Sequence, residues 1–539
     1  VANLGLYDYN DDTDILHSSN ASTLAVDAGS RFADEGLNIL SGNTLTFGTG
    51  ETVNTHDIAI NGTLTSSGTG ALNISGSWDN NSVFNKSGET VTFTSGGAET
   101  IDSTGSITNT FNGIEFNNGA GSWTLSSDLN VAGVLTISNG VVNASNKTIT
   151  LSGSGTPFVV LGTFNYQTST VKFTGSSATN VSGGDYYSLQ LLPSANSITF
   201  TLGGDPTVYG DLVAGNGVNT GVVIDAGVSI VNVAGDFTIA ANTAFQAPDT
   251  MSVNGDWVNE GTFTHNSGIV NLNGSGNKLL TTGGDPFYTL NISNAGGAGN
   301  DDVTVSGDLT VEFDSSFSTG TLRLDVNDPN VSITGNFQLN MTWTKQDNGS
   351  STTTFDAGNI VGMVLSDNNG TKQDLGDVII DGTTGSVVLS AGVKMTDLTI
   401  TANGIFSLSG YGFSFTAPAA VENSGIFRLQ GGETLTNVSN LDINTGTVEY
   451  VGDGDTFVTD YVVKDFGATD YFNLKINAVD SNDTFGIEAA KSIAGTFDMT
   501  SGGFANYDNG GVAYYLSVTG LTTINGGIFS FGDVGTAFG

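Results

Sequence analysis

A pair of strand-like phrases returns five times along this chain, and that nested period restricts the fold more than any other feature of the sequence. The first phrase is ETVTF (89–93), TVKF (170–173), GIVNL (268–272), GMVL (362–365) and GTVEY (446–450). The second follows closely: NGIEF ending at Phe116, YSLQL at Leu191, YTLNI at Ile292, GDVII at Ile380 and FNLKI at Ile476. The markers Phe93, Phe173, Leu272, Val364 and Tyr450 stand 80 to 99 residues apart, and the second phrase trails the first by 16 to 26. A period near 20 inside one near 90 is the signature of stacked coils, in which each repeat buries its apolar face against its neighbours.

The phrases place apolar residues at i and i+2, the β period with one face buried. TLTF (44–47), IAING (58–62), ALNISG (71–76), LTIS (135–138), TITLSG (148–153), DFTIA (236–240) and DLTITANG (397–404) repeat the pattern, and almost nothing has a helical period. The linking phrases also recur. Gly-Ser-Trp (76–78) and Gly-Asp-Trp (255–257) each introduce a unit, and a Gly-Thr-Phe or Gly-Ile-Phe step leads to Phe164, Phe263, Phe406, Phe427, Phe497 and Phe529. A glycine takes a turn conformation closed to other residues, and the aromatic ring after it fills the interior. Asn139-Gly140 and Asn525-Gly526 read either as hairpin turns or as coil corners. The expected fold is therefore all-β, an elongated parallel β-helix (β-solenoid) of about 25 coils. Residues 1–40, irregular in pattern, are assigned as an N-terminal cap or docking segment and 41–539 as the repeat array. Strung antiparallel β-sandwiches are the rival.

Composition narrows the function. Gly is 76 of 539 residues and the charged fraction is 12%, yet 31 Phe, 14 Tyr and a regular apolar alternation argue for a folded chain. A formal charge of −40, with the 13 basic residues scattered singly, argues against nucleic acid as a partner. With no cysteine there is no disulfide, thiolate metal site or thiol nucleophile. No run of 18 apolar residues exists, so membrane insertion is not expected in this segment. A start at Val1 suggests a mature form after signal removal, or a piece of a longer chain.

WDNNSVFNKSGETVTFTSGGAETI (78–101), WVNEGTFTHNSGIVNLNGSGNKLL (257–280) and DLNVAGVLTISNG (128–140) resemble the Gly/Asn/Thr-rich repeats of prokaryotic surface β-solenoid proteins, the group of autotransporter passengers and filamentous adhesins. Such phrases cover most of 45–530. The resemblance implies an exported, cell-surface or extracellular protein acting as an adhesin, filament or coat.

Few positions along the chain point to chemistry. Lys464, Arg428 and Lys491 are the bases nearest to acids, as a β-helix lyase would need, and are read as surface side chains. Asp453/Asp455, Asp480/Asp483 and Asp301/Asp302 are the acid pairs from which a glycosidase could be built. His17, His56 and His265 are too far apart for a metal site or triad. Calcium is the one cofactor suggested: Asp8, Asn10, Asp12 and Asp14 alternate like the opening of a calcium loop, without its central Gly or closing Glu. Thr-x-Thr steps at 44–46, 63–65 and 148–150 raise ice binding, but they are irregularly spaced.

What remains is mechanical. The expectation is a non-enzymatic structural subunit of an extracellular filament or surface fibre, self-associating head to tail through its ends, because uncapped coil edges pair with another copy. The apolar terminal stretch SFGDVGTAFG (530–539) fits that reading. An adhesin stalk or tip binding glycans or a host surface through Trp123 or Trp343 is the alternative, and a polysaccharide lyase or hydrolase the third. Val91, Phe93, Val171, Phe173, Leu272, Val364 and Tyr450 are the expected interior ladder.

Overall fold

A computed structural model describes residues 36–50, 52–104, 110–227, 230–345, 351–441, 445–467, 470–506 and 514–530, together with the backbone of Thr23–Ala25 and Arg31–Phe32. The described part is a parallel β-solenoid of about 22 turns without a helix. It divides into two compact units, Val1–Asn266 and Ser267–Gly539.

The first unit shows how a coil is made. Leu37–Ile39, Thr44–Phe47 and Thr52–Thr55 form one turn of three short strands. Ile58–Ile60, Thr63–Ser66 and Ala71–Ile74 form the next. Each strand pairs in parallel with its counterpart: Leu37 with Ile58, Thr44 with Thr63, Thr52 with Ala71. The rung pattern reaches back into the segment expected as a cap, since Thr23–Ala25 pairs with Thr44–Thr46 and Arg31–Phe32 with Asn54–Thr55. Parallel pairing of this kind excludes antiparallel sandwiches, and Asn139-Gly140 accordingly sits inside the strand Leu135–Asn143 as a bend, with Gly140 at φ 81°.

Inward positions alternate along most strands, so Leu45 and Phe47 are buried while Thr44 and Thr46 face out. Stacking these positions rung over rung makes a continuous apolar column. Burying each such side chain contributes about 1.5–3 kcal/mol, which offsets the ordering of many short strands.

Four of the five phrase pairs are adjacent rungs: Phe93 on Phe116, Phe173 on Leu191, Leu272 on Ile292 and Tyr450 on Ile476. The fourth pair is not. Leu365 pairs with Leu389, and Ile380 pairs with Phe355. The 16 residues between the two phrases there are too few to complete a turn, whereas the adjacent pairs have 18 or more. Val364 is also displaced from its expected place. A bulge between Val361 and Met363 turns Met363 and Leu365 inward and leaves Val364 facing out. The other six ladder residues are buried. Of the phenylalanines after glycine, Phe263, Phe406, Phe427 and Phe497 are buried, and Phe164 is half-buried against Phe158.

In the second unit the longest ladder includes Ser315–Thr319, Phe337–Leu339, Val361–Asp367, Ser386–Leu389, Ile405–Ser407, Ile426–Leu429, Thr447–Tyr450, Asn473–Asn477, Phe497–Ser501 and Thr522–Ile524. Coil length varies between neighbours, from 18 residues (Thr170 to Ser188) to 28 (Phe337 to Leu365), because chain is inserted at the corners. That variation accounts for about 22 turns where a uniform period suggested about 25.

Candidate functional site

Most buried acids of the second unit are consumed by the main chain. Asp367 accepts hydrogen bonds from the amides of Asn369 (2.9 Å) and Gln373 (2.6 Å). Glu433 accepts from Gln430, Gly431 and Gly410 at 2.6 to 3.0 Å. These carboxylates close corners and are not available to a ligand. Three places depart from that rule.

The first lies where chain inserted after Thr447–Tyr450 folds back over the core. Tyr450 and Tyr471 are fully buried with their hydroxyls 3.0 Å apart. Tyr471 Oη donates to the Lys464 carbonyl (2.6 Å), and the Lys464 amide donates to Tyr450 Oη (3.0 Å), so the two phenols fix the segment that carries Asp465. Asp465 Oδ1 faces Lys491 Nζ at 3.1 Å. Asp470, wholly buried, accepts from the amides of Phe466 and Ser492, both at 2.9 Å. Burial works to raise Asp465, but the Gly467 amide and the Lys491 ammonium outweigh it and hold the carboxyl below the usual aspartate range. Burial raises Asp470, and its contact with Asp465 adds to this, against the pull of the two amides and Lys491.

The second is a charge ladder on the outer face. Arg428, Glu449 and Lys475 occupy successive rungs. Glu449 is ion-paired to Arg428 at 2.7 Å and to Lys475 at 2.9 Å, and accepts from Asn477 Nδ2 at 2.8 Å. Burial pushes Glu449 up, but these cations and the amide prevail and its carboxyl lies below the ordinary range.

The third is a pair of stacked acidic turns. Gly452–Thr456 contributes Asp453 and Asp455, and Asp480–Asp483 lies in the following coil. Asp483 is fully buried, neither of its carboxylate oxygens has a hydrogen-bond partner, and its Oδ2 would stand 1.9 Å from a Cβ placed on Gly452. Burial, together with the charges of Asp453, Asp480 and Asp455, raises it above the usual range.

These places correct several expectations. Lys491, read as a surface lysine, is 1% exposed, because it shares the inward face of Lys491–Ile493 with Ile493. Arg428 faces outward but is bound to Glu449. Trp123 and Trp343, expected on the side face, are core residues at 0% and 3% exposure. Asp302 is committed to Arg323 at 2.8 Å, as is Asp325 at 2.7 Å. Thr44 and Thr46 do stack on Thr63 and Thr65, but the column passes to Val83 and Asn85 in the next coil, so no extended threonine face forms. His56 is exposed, with Nδ1 3.3 Å from Ser75 Oγ. The calcium candidates Asp8, Asn10, Asp12 and Asp14, along with His17, lie outside the described residues. Among the described residues no three His, Asp or Glu side chains are grouped to hold a metal ion, and no helix is long and apolar enough to cross a membrane.

Glu449, Asp470 and Tyr471 were not singled out by sequence. A signal existed for Tyr471: the Asp-Tyr-Phe step at 470–472 repeats Asp-Tyr-Tyr at 185–187, whose Tyr186 is likewise buried. No family model, curated protein or solved structure matches the chain.

Proposed function

We propose that this protein is a non-enzymatic structural subunit of an extracellular filament or surface fibre, joined to further copies through its terminal coils. The observation that carries the reading is the last described coil of the second unit. Among the described residues, Leu516–Val518, Thr522–Ile524 and Ile528–Ser530 each pair on one side only, with Lys491–Ile493, Phe497–Met499 and Gly503–Ala505. Interior-type side chains there are open: Ile524, stacked on Met499, is 46% exposed, and Phe529, stacked on Phe504, is 38% exposed. A coil edge that pairs on one side only among the described residues, with an apolar lip, favours pairing with another such edge. A contact between unlike ends does not close on itself and therefore propagates. Prokaryotic origin, export and placement at the cell surface belong to the same proposal and rest on the repeat resemblance.

Negative-stain microscopy of the purified chain tests it. Uniform fibres that shorten or vanish in Ile524→Glu/Phe529→Glu support the proposal, and particles that remain single at every concentration overturn it. Glycan binding is a second reading, moved from the buried tryptophans to outward tyrosines of the first unit. Tyr166 and Tyr209 stack at 5.1 Å with rings 10° from parallel, Tyr209 is 46% exposed, and Tyr187 is on the preceding rung. Retention on a glycan array that is lost in Tyr209→Ala distinguishes this reading from the first.

A further inference from the structure

Two lysines of the second unit are buried to 1% exposure, and they are held in opposite ways. Lys345 Nζ is saturated by Asp328 Oδ1 (3.1 Å), the Pro329 carbonyl (2.7 Å) and Ser351 Oγ. Lys491 Nζ has one ion-pair partner, Asp465 Oδ1 at 3.1 Å, lies near enough to buried Asp470 for the two charges to interact, and makes no properly directed hydrogen bond. A buried ammonium without hydrogen bonds is costly for a structural ion pair, and a saturated arrangement such as that of Lys345 is what stability alone would favour. The geometry around Lys491 instead matches a reactive pair.

We propose that Lys491 and Asp465 condense into an intramolecular amide, with Asp470 as the proton carrier. The Nζ–Cγ bond forms and the bond from Asp465 Cγ to its Oδ2 breaks. Two of the three ammonium protons pass to the departing oxygen by way of Asp470, which leaves as water while Asp470 regains its starting state. Ammonium plus carboxylate thus becomes amide plus water, with no oxidant, reductant or activating group required.

Each part of the step has a fixed residue. Lys491 is set by parallel pairing of its strand with Leu516–Val518 and by its amide bond to the Tyr515 carbonyl (3.0 Å). Asp465 is set by the Tyr450–Tyr471 clasp on Lys464. The Gly467 amide donates to Asp465 Oδ1 at 3.1 Å, where negative charge grows as nitrogen attacks. Asp470 is buried beside Asp465 and held by two amides, which orients it for transfer without exposing it to bulk water. Holding amine and carboxyl at contact replaces a bimolecular encounter with an intramolecular one, worth an effective concentration on the order of 10⁵ M or more in well-oriented cases. Asp465 is itself 48% exposed, which gives the released water a way out.

The proposal is independent of fibre formation and is read by mass. The intact purified chain should be lighter than its sequence mass by one water. A tryptic digest should lack cleavage after Lys491 and should contain the peptide Asp465–Lys475 joined to the one bearing Lys491. Lys491→Arg and Asp470→Ala should keep full mass, with folding checked by circular dichroism. Asp465→Asn should still join, now losing ammonia in place of water, a signature that a merely structural pair cannot give. A wild-type chain of full sequence mass that is cleaved normally after Lys491 overturns the proposal. Linkage at an unchanged rate in Asp470→Ala overturns the role given to that residue.

Discussion

Asp236 Oδ1 accepts a hydrogen bond from the backbone amide of Asp256, 2.8 Å away and one coil further on. The same contact stands one coil earlier, where Asp211 Oδ1 accepts from the amide of Asp236 at 3.0 Å. Beside it the glycines stack, with the Gly235 amide on the Gly210 carbonyl and the Gly255 amide on the Gly235 carbonyl, each at 2.9 Å. A Cβ on Gly255 would lie 2.3 Å from the Gly235 oxygen, so the corner admits no side chain there. The Gly-Asp-aromatic step is therefore a coil corner, and part of the acidic excess is architecture. Asp308 with the Asn330 amide (2.9 Å) and Asp314 with the Asn336 amide (3.0 Å) use it again in the second unit.

Replacing Asp236 by Ala should accordingly destabilise the first unit by about 1.5–3 kcal/mol, the range for losing a charge-assisted bond to a main-chain amide. Asp236→Asn should cost much less, because Asn336 Oδ1 does the same work for the Val364 amide at 2.8 Å. Urea denaturation of the two variants beside wild type measures the difference, and equal losses would mean that the charge, not the acceptor, matters.

Phe173 is buried and Lys172 beside it faces out. Phe173→Asp puts an unpartnered charge into the ladder between Leu151 and Leu191 and should cost about 3–5 kcal/mol. Lys172→Ala should change stability by less than about 0.5 kcal/mol. Thermal melts check both, and similar melting temperatures would contradict the facing of this strand.

The coil array was legible in the sequence because its signal is redundant: every rung repeats the i, i+2 pattern, so single ambiguities average out. Legibility failed where one residue decided the outcome. In Gly-Met-Val-Leu (362–365) three apolar residues are consecutive, alternation alone does not choose between two facings, and a bulge made the choice. The Lys491 cluster was hidden for a different reason. Its members at 465, 470 and 491 meet only through the inserted chain after Tyr450, and the length of an insertion does not say where its end docks. Trp123 and Trp343 misled through their size, since a polar tip on an indole does not prevent full burial inside a coil.

Glu449 should make stability fall in acid. Its folded-state carboxyl lies below the ordinary glutamate value through Arg428 and Lys475, against the opposing effect of burial. Such a group contributes fully above its unfolded pKa, and that contribution is lost as pH falls through the lower folded value. Melting temperature measured from pH 7 downward should drop in wild type and follow a flatter course in Glu449→Gln. Parallel curves for the two proteins would remove Glu449 from the acid sensitivity.

Asp483 carries the opposite sign. Burial and the neighbouring Asp453, Asp480 and Asp455 raise its folded-state value, so between the unfolded and folded pKa the native state holds the extra proton. Stability then declines as pH rises across that window, and above it the full penalty of a buried, unpartnered carboxylate remains. Asp483→Asn keeps the shape and removes the charge. It should raise the melting temperature at neutral pH by a few degrees, and the gain should vanish in acid below the ordinary aspartate range, where wild type is protonated in both states. The comparison also separates this acid from Glu449, since one substitution acts at neutral pH and the other in acid. A variant less stable than wild type at pH 7 would mean that the Asp483 charge is neutralised in the folded protein by a group that these turns recruit.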